Sequence, residues 1–262
     1  MVSLLGGRKL QDSSSAQIDV SVIVPCYQEE RNVVRTIRQI EDALKKERRD
    51  NYEIVVVEDG RVDNTASVVK KAFNGDPRIR LEGYDLNRGK GYAVRNGFYK
   101  TRGESIVFID ADGELPAKQI PTYLKLLKHA DCVVASKAHP QSIVDVPIPR
   151  RIMSTFFNAL VQLLTGLRCR DTQCGLKALR RKVVEKTSQV LAVKEFAFDV
   201  ELLTVANLYG FRIVEAPIEV HMKTGLFNLR AIPRMFLDLL GISYRLRIKK
   251  SYQRGLRKGI GK

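Results

Sequence analysis

Ser105-Ile106-Val107-Phe108-Ile109-Asp110-Ala111-Asp112 is an apolar, β-branched run that ends on two carboxylates. Such a run reads as a buried strand. The pattern recurs upstream. Val20-Ser21-Val22-Ile23-Val24 is stopped by Pro25 and followed by Cys26-Tyr27-Gln28-Glu29. Glu53 to Val57 is closed by Glu58-Asp59-Gly60. Between these strands, Val33, Val34, Ile37, Ile40 and Leu44 fall at helical spacing within Glu29 to Lys45. Thr65 to Phe73 and Gly91 to Tyr99 also suit helices, and Ile79 to Leu81 and Cys132 to Ala135 suit strands. Strands separated by helices predict an α/β fold, a mostly parallel sheet with flanking helices. In such sheets ligands sit beyond the carboxyl ends of the strands. The three polar clusters that follow strands are therefore the candidate site.

After Pro147 the pattern changes. A helix is expected from about Arg151 to Leu164, and another from about Phe198 to Tyr209, ended by Gly210. Arg212 to Val220 reads as a strand interrupted by Pro217, hence an edge.

The chain has 262 residues with 44% hydrophobic content, enough for one large core. Its formal net charge is +16, which favours anionic partners: nucleic acid, acidic lipid or phosphorylated small molecules. From Lys223 to Lys262 there are 11 Lys/Arg against the single acid Asp238, a net of +10, so the preceding 222 residues carry +6. This divides the chain into a lead-in over 1–18 expected to be flexible, a body over 19–222, and a basic segment over 223–262. Leu226 to Ile248 mixes Leu, Ile, Phe and Met with Arg, the composition of an amphipathic helix in a membrane interface or of a helix packed on the domain. The longest apolar run, Phe156 to Leu167, is 12 residues and is broken by Asn158 and Gln162, too short to span a bilayer. Cys26, Cys132, Cys169 and Cys174 form no C-x-x-C pair, and His129, His139 and His221 share no spacing. A zinc site is not expected, and the thiols read as buried in a reducing compartment.

Asp110 and Asp112, at i and i+2 after a strand, can converge on a hard cation, with Glu114 as a further acceptor. Mg2+ and Mn2+ favour carboxylate oxygens together with substrate phosphates. The plain alternative is a solvated loop that caps the next helix. Glu58-Asp59 can accept from a nucleobase N–H or serve as turn acids before Gly60. Asn87-Arg88-Gly89-Lys90-Gly91 is a basic glycine-rich loop able to approach phosphates, although it matches neither a P-loop nor G-x-G-x-x-G. Arg150 and Ser154 lie at i and i+4, and with Arg151 and Lys137 can hold a phosphate or form a solvated basic helix end. Asp199 and Glu201, inside the apolar stretch Phe196 to Val205, must be partnered or face a cleft.

Together, Val24-Pro25-Cys26-Tyr27-Gln28-Glu29, Val57-Glu58-Asp59-Gly60, Asn87-Arg88-Gly89-Lys90-Gly91 and Asp110-Ala111-Asp112 resemble family 2 glycosyltransferases. Arg168-Cys169-Arg170-Asp171-Thr172-Gln173-Cys174-Gly175-Leu176-Lys177 and Phe196-Ala197-Phe198-Asp199-Val200-Glu201-Leu202-Leu203 look most like the polyprenyl-phosphate hexose synthases, dolichyl-phosphate β-glucosyltransferases first and the mannose synthases next. The resemblance runs from about residue 19 to 220. It implies a GT-A fold, Mg2+ or Mn2+, and inverting transfer of a hexose from UDP-glucose, or alternatively GDP-mannose, to a polyprenyl or dolichyl phosphate. By motif match, Pro25, Tyr27, Glu29, Glu58, Asp59, Lys90 and Asp110 fall at donor-nucleotide positions. Asp110, Asp112 and Glu114 fall at the metal site, and Lys137, Arg150 and Ser154 at the acceptor phosphate. Asp112, Lys137 and Arg150 are then the candidate catalytic residues. Gln28 stands for the usual Asn, Glu58 for Asp and Glu114 for the Gln of mannosyl relatives; Met222, Phe227 and Asn228 depart from the mannosyl pattern around Gly225. The implied setting is peripheral, on an anionic membrane surface at its cytoplasmic face. A non-catalytic basic module that binds nucleic acid is the competing class; carboxylates after the strands would repel phosphate without a metal, so nucleic acid is not expected.

Overall fold

A computed structural model describes residues 18–221 and 231–259, with backbone alone for Arg150, His221, Ala231 and residues 256–259. Residues 1–17 of the lead-in expected over 1–18, and residues 222–230 with Met222, Phe227 and Asn228, lie outside the described residues.

Strands β1 (Val20–Cys26), β2 (Tyr52–Asp59), β3 (Ile79–Tyr84), β4 (Ser105–Ile109), β5 (Cys132–Ser136), β7 (Leu176–Arg180) and β8 (Ile213–Pro217) form one sheet in the order β3-β2-β1-β4-β7-β5-β8. β6 (Ile143–Asp145) and β9 (Glu219–His221) pair in parallel as a small second sheet. All pairings in the large sheet are parallel except those of β7, which runs antiparallel to β4 and β5. The expected strand over Arg212 to Val220 is divided at Pro217 into the edge strand β8 and the separate β9. Proline ends the ladder there because it has no N–H to donate.

The strands are continuous apolar runs because both faces of the sheet are covered. Alternation sends Val22, Val24, Ile54, Val56 and Val107 to one face, against Ile37, Ile40 and Leu44 of α1 (Val33–Lys46) and Tyr123 and Leu124 of α4 (Ile120–Leu126). It sends Ile23, Val55, Ile106 and Phe108 to the other, against Val94 and Phe98 of α3 (Lys90–Lys100) and Phe198, Leu202 and Val205 of α7 (Phe198–Leu208). Two further helices are α2 (Thr65–Ala72) and α6 (Arg181–Thr187).

The C-terminal helices are part of this core. α8 (Ala231–Arg247) buries Leu239, Ile242 and Leu246, and α9 (Ser251–Gly259) buries Tyr252. Glu201 of α7, fully buried, ties them down: its carboxylate accepts from the Tyr252 hydroxyl and pairs with Arg245 at 3.2 Å. α8 lies beside α5 (Ile148–Thr165), where Ser243 Oγ and Arg247 Nη2 donate to the carbonyls of Leu164 and Leu163.

Candidate active site

The sheet reverses its winding between β1 and β4, and a crevice opens beyond their carboxyl ends. It is a cleft of about 800 Å³. Pro25 lies at the end of β1, Tyr27 and Glu29 follow it, Asp59 ends β2, Lys90 opens α3, and Asp110 and Asp112 follow β4; all line the cleft. Alternation along β2 separates Glu58 from Asp59. Asp59 turns toward the cleft, where its oxygens accept the backbone N–H groups of Arg88 (2.7 Å) and Gly89 (2.9 Å). It thereby shapes the basic loop that presents Lys90. Gly89 has φ +95°, and a Cβ there would stand 2.6 Å from the Lys194 carbonyl, so only glycine fits. Glu58 points the other way. Its carboxylate accepts the Ala66 N–H at the start of α2 (3.2 Å) and lies 3.7 Å from Arg61. Glu58, expected at a donor position, does not line the cleft.

Lys90 Nζ stands 2.6 Å from Asp110 Oδ1. Burial depresses the Lys90 ammonium, but Asp110, Asp199 and Asp112 outweigh it and hold its pKa above the ordinary lysine value. Asp112 Oδ1 accepts the Glu114 N–H at 2.9 Å. Burial, then the charges of Asp110, Glu114 and Glu29, push the Asp112 carboxyl up to about 6. Burial and neighbouring acids also raise Glu29. This cluster of like charges is relieved by a cation. The protein's own ammonium already takes that place on Asp110, which is the fit a divalent metal requires. Among the described residues no three His, Cys, Asp or Glu side chains form a ready cage. Asp110, Asp112 and Glu114 thus make no closed set by themselves; two carboxylates completed by substrate phosphates are the usual set for Mg2+.

A second cavity, of about 640 Å³, opens between α5, the β6 region and α8. Lys137, Arg151, Ser154, Arg170, Asp171 and Gln173 are among its polar groups, and Val144, Met153, Phe156, Phe157, Ile232 and Phe236 form much of its apolar wall. His139 also borders it. Buried Asp171 sets Lys137 in place: one oxygen accepts its backbone N–H (2.9 Å) and lies 3.3 Å from its ammonium. Asn158 joins α5 to the same loop, donating to the Ser154 carbonyl (2.9 Å) and accepting from Thr172 N–H (3.1 Å) and Oγ1 (3.0 Å). Arg150 is in the first turn of α5, and its side chain lies outside the described residues.

The two cavities share Gln173 and Met235. The loop that carries Gln173 is anchored from below. Lys177, fully buried, donates to Asp199 (2.6 Å) and to the Cys174 carbonyl (2.7 Å). Asp199 and Glu201 are therefore partnered acids, the latter also accepting the Ala192 and Val193 N–H groups at 2.8 Å each. Gly175 closes the loop against Asp110; a Cβ there would fall 1.8 Å from Asp110 Oδ2. Sequence reasoning singled out Asp171 to Gly175 as a motif but assigned no role to Asp171 or Gln173. It also missed Glu195, Arg234 and Met235, which reach the cleft from α7's leading loop and α8. Nothing in their local pattern marks them. All four cysteines are free and buried.

Residues 21–188 match the family model described as glycosyl transferase family 2. The chain is 35% identical over 225 residues to the dolichyl-phosphate beta-glucosyltransferase of Homo sapiens, covering 79% of this chain and 68% of that protein. It is 29% identical over 215 residues to glycosyltransferase AglD of Haloferax volcanii, covering 81% of this chain but about a third (34%) of that protein. Among solved structures, glucosyl-3-phosphoglycerate synthase from Mycobacterium tuberculosis, crystallised with Mn2+, UDP and phosphoglyceric acid, superposes with a TM-score of 0.66 over 87% of this chain and 79% of that one. At 20% identity this likeness establishes the shared GT-A fold.

Proposed function

We propose a specific reaction for a chain that belongs to glycosyl transferase family 2. It transfers glucose from UDP-glucose to the phosphate of a polyprenyl or dolichyl phosphate, with inversion and with Mg2+ or Mn2+ on the donor. One observation carries this reading: an acidic cleft and a cation-rimmed apolar cavity share a wall at Gln173 and Met235. A nucleotide sugar with a metal suits the first, and a phosphate on an apolar chain suits the second. The names of the human and other dolichyl-phosphate relatives agree with it.

Asp110 and Asp112 would hold the metal, with Glu114 alongside. Bound there, the metal would offset the charge that develops on the departing diphosphate. Pro25, Tyr27 and Glu29 border the nucleotide, while Asp59 fixes the loop that aims Lys90 into the cleft. Lys137, Arg150 and Ser154, joined by Arg151, would orient the acceptor phosphate. That phosphate is anionic at neutral pH, so no strong general base is needed, and positioning supplies much of the rate. Attack opposite the leaving group converts an α-linked donor into a β-linked product.

The lipid acceptor also fits the outer surface. Exposed Ile148, Ile152, Phe156 and Leu163 fall on one stripe of α5, and Leu237, Leu240 and Tyr244 on one stripe of α8, continued by Ile248. Arg151, Lys249 and Lys250 are exposed nearby in the chain. No described helix is long and apolar enough to cross a membrane. We assign the stripes to the cytoplasmic face of an anionic membrane, so that α8 both completes the catalytic body and carries, with the basic residues after it, the peripheral attachment.

The test is incubation with polyprenyl phosphate and either UDP-glucose or GDP-mannose, with and without Mn2+. Metal-dependent glucosyl transfer is expected. Transfer from GDP-mannose alone would replace the donor. Absence of transfer from every nucleotide sugar, beside salt-sensitive DNA binding without metal, would sink the reading.

A further inference from the structure

Gln173 stands where the two cavities meet. It lines both cavities, yet its amide Nε2 is buried and finds no hydrogen-bond partner among the described residues. Buried polar groups are nearly always paired, so an orphan amide at a cavity wall points to a partner that arrives with a ligand. The backbone around it is not loose. Gln173 N–H donates to Asp171 Oδ1 (3.1 Å), whose other oxygen holds Lys137, and Lys177 fixes the Cys174 carbonyl. Two residues on, Gly175 packs against Asp110. One short loop therefore touches the acceptor side through Asp171, the donor side through Gly175, and the junction through Gln173.

The chemistry of a carboxamide narrows the ligand. It is neutral, so it adds no charge to balance a diphosphate or a metal. It offers donors and an acceptor on one plane, the pattern that pairs with a hydroxyl. Of the two substrates in the proposed reaction, the hexose is the part that lies between the diphosphate and the attacking phosphate. On that reading of the function, we propose that Gln173 is a specificity-determining residue that donates through Nε2 to a hydroxyl of the hexose. Its loop geometry makes sugar recognition and alignment of the acceptor phosphate a single structural unit.

The experiment compares the parent with Gln173→Ala, Gln173→Met and Gln173→Glu. UDP affinity in Mn2+ is measured by calorimetry, and kcat and KM are measured for UDP-glucose, its epimers and its deoxy-sugar analogues. A site that hydrogen-bonds a hydroxyl rejects the analogue lacking it strongly. The expected result is UDP affinity within about twofold of the parent and a loss of about 10²-fold in kcat/KM. The parent's discrimination should also collapse at one hydroxyl only. If Gln173→Ala melts early, the longer Met and Glu side chains decide. Unchanged discrimination at every hydroxyl overturns the proposal, as does a change confined to the KM of the lipid phosphate. A parent that binds UDP but transfers no sugar overturns the functional reading itself, a result distinct from either of these.

Discussion

The cleft beyond β1, β2 and β4 is walled by carboxylates crowded together, whereas the cavity between α5 and α8 is walled by aliphatic and aromatic side chains with cations at its edge. The first holds charge that is unfavourable until a cation arrives, as the raised Asp112 and Glu29 carboxyls record. The second is apolar surface left unfilled, with Lys137 already steadied by Asp171. One region is prepared for a metal and an anion, the other for a chain with a phosphate head. The two require different substitutions to disable them.

The largest effect is expected at Asp112. Asp112→Ala should cost at least about 10²–10³-fold in kcat/KM, the scale for lost transition-state electrostatics, while leaving circular dichroism unchanged. Stability should move the opposite way. The folded-state pKa of Asp112 lies at about 6, above the ordinary 3.8. Between those values the native protein keeps a proton that the unfolded chain has released, so this group lowers stability as pH rises through the window. Asp112→Asn should therefore flatten that fall and raise the melting temperature of the metal-free protein at pH 7. A lower melting temperature in Asp112→Asn would show that the carboxylate serves the fold instead.

Gly175→Ala attacks the same cleft from behind. Its methyl would displace the Asp110 carboxylate, since the Cβ position lies 1.8 Å from Oδ2. Misplacement of about 1 Å costs on the order of 10²-fold in rate. Mn2+ affinity should fall with it, and an unchanged affinity would mean Asp110 simply rotates aside.

The contrast also explains what was legible in the sequence. The cleft follows from local order: a strand, then an acid, three times over, with positions that alternation and the parallel sheet converge. Even there, period two decides that Asp59 faces inward and Glu58 caps α2, which cluster-level reading does not separate. The cavity depends on long-range packing. β7 was not foreseen as a strand, because Leu176-Lys177-Ala178-Leu179-Arg180 carries a lysine whose burial makes sense only beside Asp199. Likewise Arg234 and Met235 belong to a basic stretch that reads as a tail until α8 is seen packed against α5 and α7.

Substitutions on the cavity side should separate acceptor from donor. Lys137→Ala should raise the KM for the lipid phosphate about 10-fold or more, as charged hydrogen bonds of roughly 1.5–3 kcal/mol imply, and leave UDP affinity in place. Equal losses for both substrates would erase the distinction between the two regions. Ile152 and Leu240 lie on the exposed stripes and line neither cavity. The double variant Ile152→Glu, Leu240→Glu should reduce co-sedimentation with anionic vesicles about 10-fold, because apolar contact and charge attraction are both weakened. Transfer to a short-chain, water-soluble acceptor should persist. Undiminished vesicle binding would move the membrane contact elsewhere.

The smallest effect tests whether the cleft is built under strain that the cavity lacks. Gln28 lies between Tyr27 and Glu29 with φ +58°, in the left-handed region. The other described non-glycine residues with positive φ, Arg48 and Lys250, are not flanked by residues that line the cleft. A long side chain there costs about 1 kcal/mol, and Asn tolerates the conformation better because its short polar group can bond locally. Gln28→Asn should thus stabilise the protein by a few tenths to about 1 kcal/mol, a rise of roughly 1–4 °C in a chain of this size. If melting is unchanged or lowered, the turn is not strained, and the cost of the donor cleft lies in its crowded carboxylates alone.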